Sequence, residues 1–281
     1  MKKILSILCI TGSPLFAAGQ DTVQQTKQLI MDEGMRLYQS EMASWYGTDI
    51  FLEAYKNRSN VGGYFSYTEG AVSKCIFFSK SENPVVIGMM SFDSTYSTQT
   101  ATTDLTERSF TSLEKDLYLI RTEAFQIVNN DPLFKVYKNT NLNLIPLVSG
   151  GEKKVYILTG PQDAGIVIFG NDYLLQFDDN NKCISKRQLH RNIISANYNE
   201  KTQDGAEVVG AVHTHLPETG DFITPTDICT LMLYARFTKW KQYIVVSEHY
   251  MNIWTCDSNT LAIIPRDALE KTNKKKKKEK D

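Results

Sequence analysis

Two of the four histidines in the chain fall in one three-residue step, His213-Thr214-His215, at the end of the apolar, β-branched run Val208-Val209-Gly210-Ala211-Val212. Residues two apart on a strand point to the same face, so a strand that ends here aims both imidazoles at one point. The run Thr224-Pro225-Thr226-Asp227 that follows has the composition of a helix start. Thr suits the N-cap, Pro the first helical position and Asp the third, where the positive end of the helix dipole favours a carboxylate. A second apolar pair of segments, Tyr243–Ser247 and Met251–Thr255, reads as two further strands. Strand, loop, helix and strand therefore follow in that order, with two imidazoles and one carboxylate at the junctions. Taken singly, each half has a plainer reading: a helix cap needs no metal, and two histidines can be hydrogen-bonded at a sheet edge. Their joint occurrence points to a metal.

At 281 residues, 42% of them hydrophobic, the chain has the composition of a globular protein able to bury a sizeable core. Residues 1–19 read differently. Lys2 and Lys3 precede the apolar stretch Ile4–Ile10, and Ala17-Ala18-Gly19 supplies small residues for cleavage, the pattern of an export signal with a mature start near Gln20. The expected location is therefore periplasmic or secreted. No apolar stretch reaches the roughly 20 residues that span a bilayer. At the other end, residues 270–281 carry seven lysines and read as a disordered, self-repelling tail. Setting both ends aside leaves 22 basic against 29 acidic side chains, a poor general surface for nucleic acid. Cys75, Cys183, Cys229 and Cys256 show no metal-knuckle spacing; in an oxidising compartment they permit two disulfides, and buried free thiols fit the sequence equally.

The pattern along the chain predicts an α+β fold. An amphipathic helix is expected from Asp21 to about Trp45, then antiparallel strands over Gly62–Tyr67, Cys75–Phe78 and Val85–Met89, and a loop or edge strand over Ser94–Thr106. Thr111 and Glu114 form a capping box that opens a second helix, which Asp131-Pro132 ends. The polar segment Asn139–Gly151 reads as the boundary between an N-terminal α+β region, residues 20–140, and a C-terminal region, residues 141–269. Strands Val155–Thr159, Gly165–Phe169, Tyr173–Phe177 and Cys183–His190 are expected next, joined by hairpin turns that include Gly170-Asn171-Asp172.

The order strand, His213-x-His215, loop, Thr224-x-x-Asp227 at a helix start, strand resembles the core of the JAMM/MPN metalloproteases, over roughly Glu207 to Trp254. That resemblance implies a C-terminal mixed sheet with a cytidine-deaminase-like strand–loop–helix–strand core. It implies zinc held by His213, His215 and Asp227, and Thr224 as the hydroxyl that assists a tetrahedral oxyanion. The loop between His215 and Asp227 is one residue longer than the family's, and Thr stands where the family has Ser. Where the family's upstream glutamate is expected the chain has Gln162, and a neutral amide cannot take a proton from water. Glu218, just after the histidines, is a candidate substitute as base or as a further metal ligand; Glu152 and Asp163, upstream, are candidates that a fold could bring close, and Glu207 sits too far along its strand to reach. His190, at a strand end, reads as a surface histidine or a further ligand, and His249 as a turn residue.

Two imidazoles and one carboxylate leave an open fourth position on zinc, the arrangement of hydrolytic zinc sites. The expected function is hydrolysis of an amide or isopeptide bond in a peptide or cell-wall substrate. The competing expectation is a catalytically inactive JAMM-like module that binds or interacts. An acid/base carboxylate beside the metal position is what separates them.

Overall fold

A computed structural model describes residues 14–198, 201, 203–269 and 271. The export signal and the Lys-rich tail lie largely outside these residues. The opening helix, α1 (Pro14–Ala54), is longer at both ends than the apolar spacing suggested. No proline interrupts it after its first residue, and Leu37, Met42, Ala43 and Phe51 are buried along it. Among the described residues no helix is long and apolar enough to cross a membrane.

After α1 the chain runs through β1 (Val61–Glu69), β2 (Val72–Ser79), β3 (Val86–Phe92) and the short edge strand β4 (Thr102–Asp104), an antiparallel meander in chain order. Its inner face packs on α1, where Phe51 stacks on Phe77 with ring centroids 3.8 Å apart. Helix α2 (Ser112–Asn130) opens on the capping box read from the sequence. Thr111 Oγ1 accepts from the Glu114 amide, and Glu114 Oε2 accepts from the Thr111 amide at 2.8 Å. Glu114 is also clamped by both terminal nitrogens of Arg108 at 2.6 and 2.7 Å, so its burial is compensated.

A second antiparallel meander contains β5 (Thr140–Ser149), β6 (Glu152–Pro161), β7 (Ile166–Phe177) and β8 (Cys183–Asn197). The segment around Asn139–Gly151, expected as a boundary, is thus strand β5. It lies at the sheet edge, where Pro146 leaves no interior ladder bond unmade. One core cluster contains Leu37 and Phe51 of α1, Cys75 of β2, Ile145 of β5 and Leu174 of β7. Segments on both sides of residue 140 therefore share a core.

The third sheet is mixed. β9 (Gly210–Thr214) runs parallel to β10 (Gln242–Val246), and α3 (Pro225–Tyr234) makes the crossover between them; β11 (Tyr250–Thr255) and β12 (Thr260–Pro265) continue antiparallel. Helix α3 packs on α1 at Gly34, where an added Cβ would lie 2.7 Å from Ile228 Cγ2. That close approach seats the start of α3 against α1. Beneath the helix, Phe169, Ile228, Trp240, Tyr243 and Trp254 form a second core cluster.

One expectation is corrected. Gly170-Asn171-Asp172 is not a hairpin turn but an irregularity inside the continuous strand β7, opposite a similarly continuous β8. Gly170 (φ +79°) and Asn171 (φ +49°) carry left-handed backbone, the same chemistry that would close a turn. Here the conformation kinks the strand, and the ladder shifts register from Gly170↔Ile193 to Asp172↔His190. A Cβ at Gly170 would lie 2.2 Å from the Asn192 carbonyl oxygen. Gly170→Ala is therefore expected to destabilise the protein by about 1–3 kcal/mol from backbone strain alone. Urea unfolding measures this, and an unchanged midpoint would contradict the role assigned to the kink.

Candidate metal centre

The centre is assembled from the ends of β8 and β9 and the first turn of α3. On β9 alternation sends Val212 outward, 63% exposed, and turns His213 inward, 6% exposed. His215 follows on the same face because its amide donates to Val246 O at 2.8 Å, extending the parallel ladder one step past the strand. The sequence pairing of the two imidazoles is thus realised.

Asp227 occupies the third position of α3. Its Oδ2 accepts from the Thr224 amide at 3.0 Å and from Thr224 Oγ1 at 2.8 Å, while its own amide donates to Thr224 Oγ1 at 3.1 Å. This reciprocal cap fixes the carboxylate, which lies 3.5 Å from His215 Nε2 through Oδ2 and 3.9 Å from His213 Nε2 through Oδ1. His213, His215 and Asp227 are therefore brought together as the sequence proposes.

A third imidazole joins them. His190, expected more readily at the surface, lies with its side chain 11% exposed and its Nε2 3.0 Å from His215 Nε2 and 3.6 Å from Asp227 Oδ2. The kink in β7 is what turns it inward, because it places Asp172 in register with His190. Asp172 Oδ1 accepts from the His190 amide at 3.0 Å and pairs with His190 Nδ1 at 2.8 Å. Its Oδ2 accepts from Thr226 Oγ1 on α3, which ties this histidine to the helix that carries Asp227. Asn171 is itself fully buried and wired: Tyr173 OH donates to its Oδ1 at 2.7 Å, and its Nδ2 donates to Lys135 O at 2.8 Å.

The donor atoms of His190, His213, His215 and Asp227 lie within 4.8 Å of one another and form a group able to hold a metal ion. Ligands about 2.0–2.1 Å from a tetrahedral zinc are about 3.4 Å from each other; four of the separations here, 3.0, 3.5, 3.6 and 3.9 Å, bracket that value, and every pair in the group lies within 4.8 Å. His213 Nε2 is buried without a hydrogen-bond partner, a costly state for a ring nitrogen that a cation would relieve. Its other nitrogen, Nδ1, lies 3.0 Å from Tyr243 OH. His190 is backed by Asp172 in the same way. Metal-binding histidines are oriented by such partners on the far ring nitrogen.

The electrostatics follow from the burial. Desolvation pushes the Asp227 carboxyl upward, but the three imidazoles outweigh it and hold it well below the ordinary carboxylate range. Burial disfavours a charge on His190, yet the carboxylates of Asp172 and Asp227 overcome this and raise it to about 9. For His213 burial prevails and lowers its pKa, leaving it a neutral donor. A surface cavity of about 220 Å³ reaches His190, His213 and Asp227 past Gly170, Asn192 and Leu216.

The remaining candidates lie elsewhere or are otherwise engaged. Glu218 is not in the group; it is half exposed and pairs with Arg191 at 3.3 Å. Thr224 lies beside the group, but its hydroxyl donates to Asp227 Oδ2 and lies 2.8 Å from Thr226 Oγ1 within the cap. Glu152 pairs with Lys154, Glu207 with Lys239, and Asp163 accepts from Asn139. Gln162 donates to Asn141 Oδ1, and His249 pairs with Asp221. Cys75, Cys183, Cys229 and Cys256 are free thiols; burial pushes Cys75 up to about 12. Sequence reasoning missed Asp172 altogether. Comparison with known proteins adds no relative: no family model, no curated protein and no solved structure matches the chain.

Proposed function

We propose that the protein is a zinc-dependent hydrolase of amide or isopeptide bonds, built on a JAMM-like core, in which the His190–Asp172 pair stands in for the missing glutamate. The observation that carries the reading is a hydrogen-bonded histidine–carboxylate pair aimed at the same point as His213, His215 and Asp227, at the inner end of an open cavity. A zinc ion held by those three residues would supply Lewis acidity and lower the pKa of a water toward about 7. Beside that zinc, whose charge would offset the carboxylates of Asp172 and Asp227, the His190 imidazole is held neutral, so that Nε2, which faces that position, accepts a proton there while Asp172 Oδ1 holds Nδ1–H and stabilises the imidazolium. The same proton then passes from Nε2 to the leaving amine. The export-signal pattern of residues 1–19 supports action outside the cytoplasm, and the substrate proposed there is a peptide or cell-wall amide.

A second reading rests on the same contacts. Asp172 orients His190 as carboxylates orient metal ligands, so His190 can complete a closed four-ligand site in a protein that binds rather than cleaves. Hydrolysis of a dye-labelled peptide and isopeptide-linked substrate set, before and after chelation, tests the enzyme reading. The expected result is cleavage that chelator abolishes and zinc restores. Cleavage indifferent to chelator would contradict it.

A further inference from the structure

Away from the metal centre, a cavity of about 110 Å³ lies between α1, β1, α2 and β5 and is lined by Glu41, Ser44, Tyr64, Ser66, Arg121 and Asn143. It holds one acid and one base that do not meet. Arg121 has no hydrogen bond or ion pair among the described residues; it lies 5.7 Å over the Tyr64 ring, and its Nε is buried without a partner. Glu41 has a single long contact, 3.4 Å from Asn143 Nδ2. Both are strained by their setting: burial raises the Glu41 carboxyl to about 7 and lowers the pKa of Arg121. Charged groups withdrawn from water ordinarily pair with each other or are neutralised. Here the hydroxyls that complete the wall are engaged, Ser44 Oγ with Ser66 Oγ at 2.8 Å and Ser40 Oγ donating to the Ser66 backbone carbonyl at 3.1 Å, so the wall is ordered and both ionisable groups remain for something else.

We propose that this cavity is a binding site for a small zwitterion, an α-amino acid of about alanine size, with its carboxylate on Arg121 and its ammonium on Glu41. Charge decides the class. An ammonium seated on Glu41 holds it as the anion, so a zwitterion meets one cation and one anion, whereas a simple anion or a simple cation leaves the opposite group unpaired. A guanidinium presents paired N–H donors to a carboxylate, and Glu41 offers two acceptor oxygens to an ammonium. The volume equals that of roughly four waters, which limits the side chain to a small one.

The test is calorimetric titration of the full chain with L-alanine, with acetate and ethylamine as half-ligands. Saturable binding of alanine is expected, at least tenfold tighter than either half-ligand, abolished or weakened tenfold or more in Glu41→Gln and Arg121→Met, and unchanged in His213→Ala. The last comparison separates this site from the metal centre, where an amino acid can also coordinate. Absence of saturation at about 10 mM, well above a weak specific affinity of about 1 mM, would overturn the proposal. So would acetate binding as tightly as alanine, or loss of binding in His213→Ala. The wild-type titrations decide the matter even where a variant fails to fold.

Discussion

Asp227→Ala is expected to cost the metal-free protein about 3–5 kcal/mol, the effect of removing one partner from a buried charge cluster. Two losses combine. The Thr224 amide and hydroxyl lose the acceptor that caps α3, and three buried imidazoles lose the anion that stabilises a proton among them. Asp227→Asn keeps an acceptor for the cap and removes only the charge, so it separates the two contributions. It also carries a pH signature. His190 has a folded pKa of about 9, above its ordinary value near 6.5. A raised folded pKa contributes stability that is fully present below pH 6.5 and is lost as pH rises through about 9, at most about 3 kcal/mol here. In Asp227→Asn that loss still begins near pH 6.5 but is complete at lower pH and is smaller, because one of the two carboxylates that raise His190 is gone. Denaturant unfolding of chelator-treated protein from pH 6 to 10 measures both effects. A flat profile in the wild type would contradict the charge assignments.

His190→Gln is expected to lower hydrolysis by about 10²–10⁴-fold, the range contributed by a positioned acid/base group, while leaving metal content near that of the wild type. Glutamine keeps a hydrogen-bonding end near Asp172 but cannot carry the proton. The outcome divides the two functional readings. If His190 is the proton carrier, activity falls and metal stays. If it is the fourth ligand, metal affinity falls with it, as in His213→Ala. Asp172→Asn is a useful companion, since it leaves His190 in place and removes one of the two carboxylates that make it basic.

The parts of this site that were legible in the sequence are those fixed by local chemistry. The capping boxes at Thr111–Glu114 and Thr224–Asp227 form as read, because a hydroxyl three residues from an acid satisfies amides of its own helix turn. The inward pair His213 and His215 follows from strand alternation alone. What the sequence hid is set by partners far along the chain. Gly170 and Asn171 adopt left-handed backbone in a kink as readily as in a turn, and only the continuing ladder of β8 decides between them. With the turn reading, Asp172 closed a hairpin and His190 ended a strand. With the kink, Asp172 pairs with His190, and His190 joins the group able to hold a metal. Strand β5 was hidden similarly: its polar residues and Pro146 suit a linker, and they also suit an edge strand whose outer side is unpaired. Strand β12 has Leu261 and Ile263 at alternate positions but shows itself only through pairing with β11.

Metal content tests the central claim most directly. Protein purified without added chelator and analysed by elemental mass spectrometry is expected to hold about one zinc per chain, and His213→Ala and Asp227→Ala are expected to hold far less while Glu218→Ala matches the wild type. No bound metal in the wild type after exposure to zinc, or equal content in all four proteins, would contradict the account.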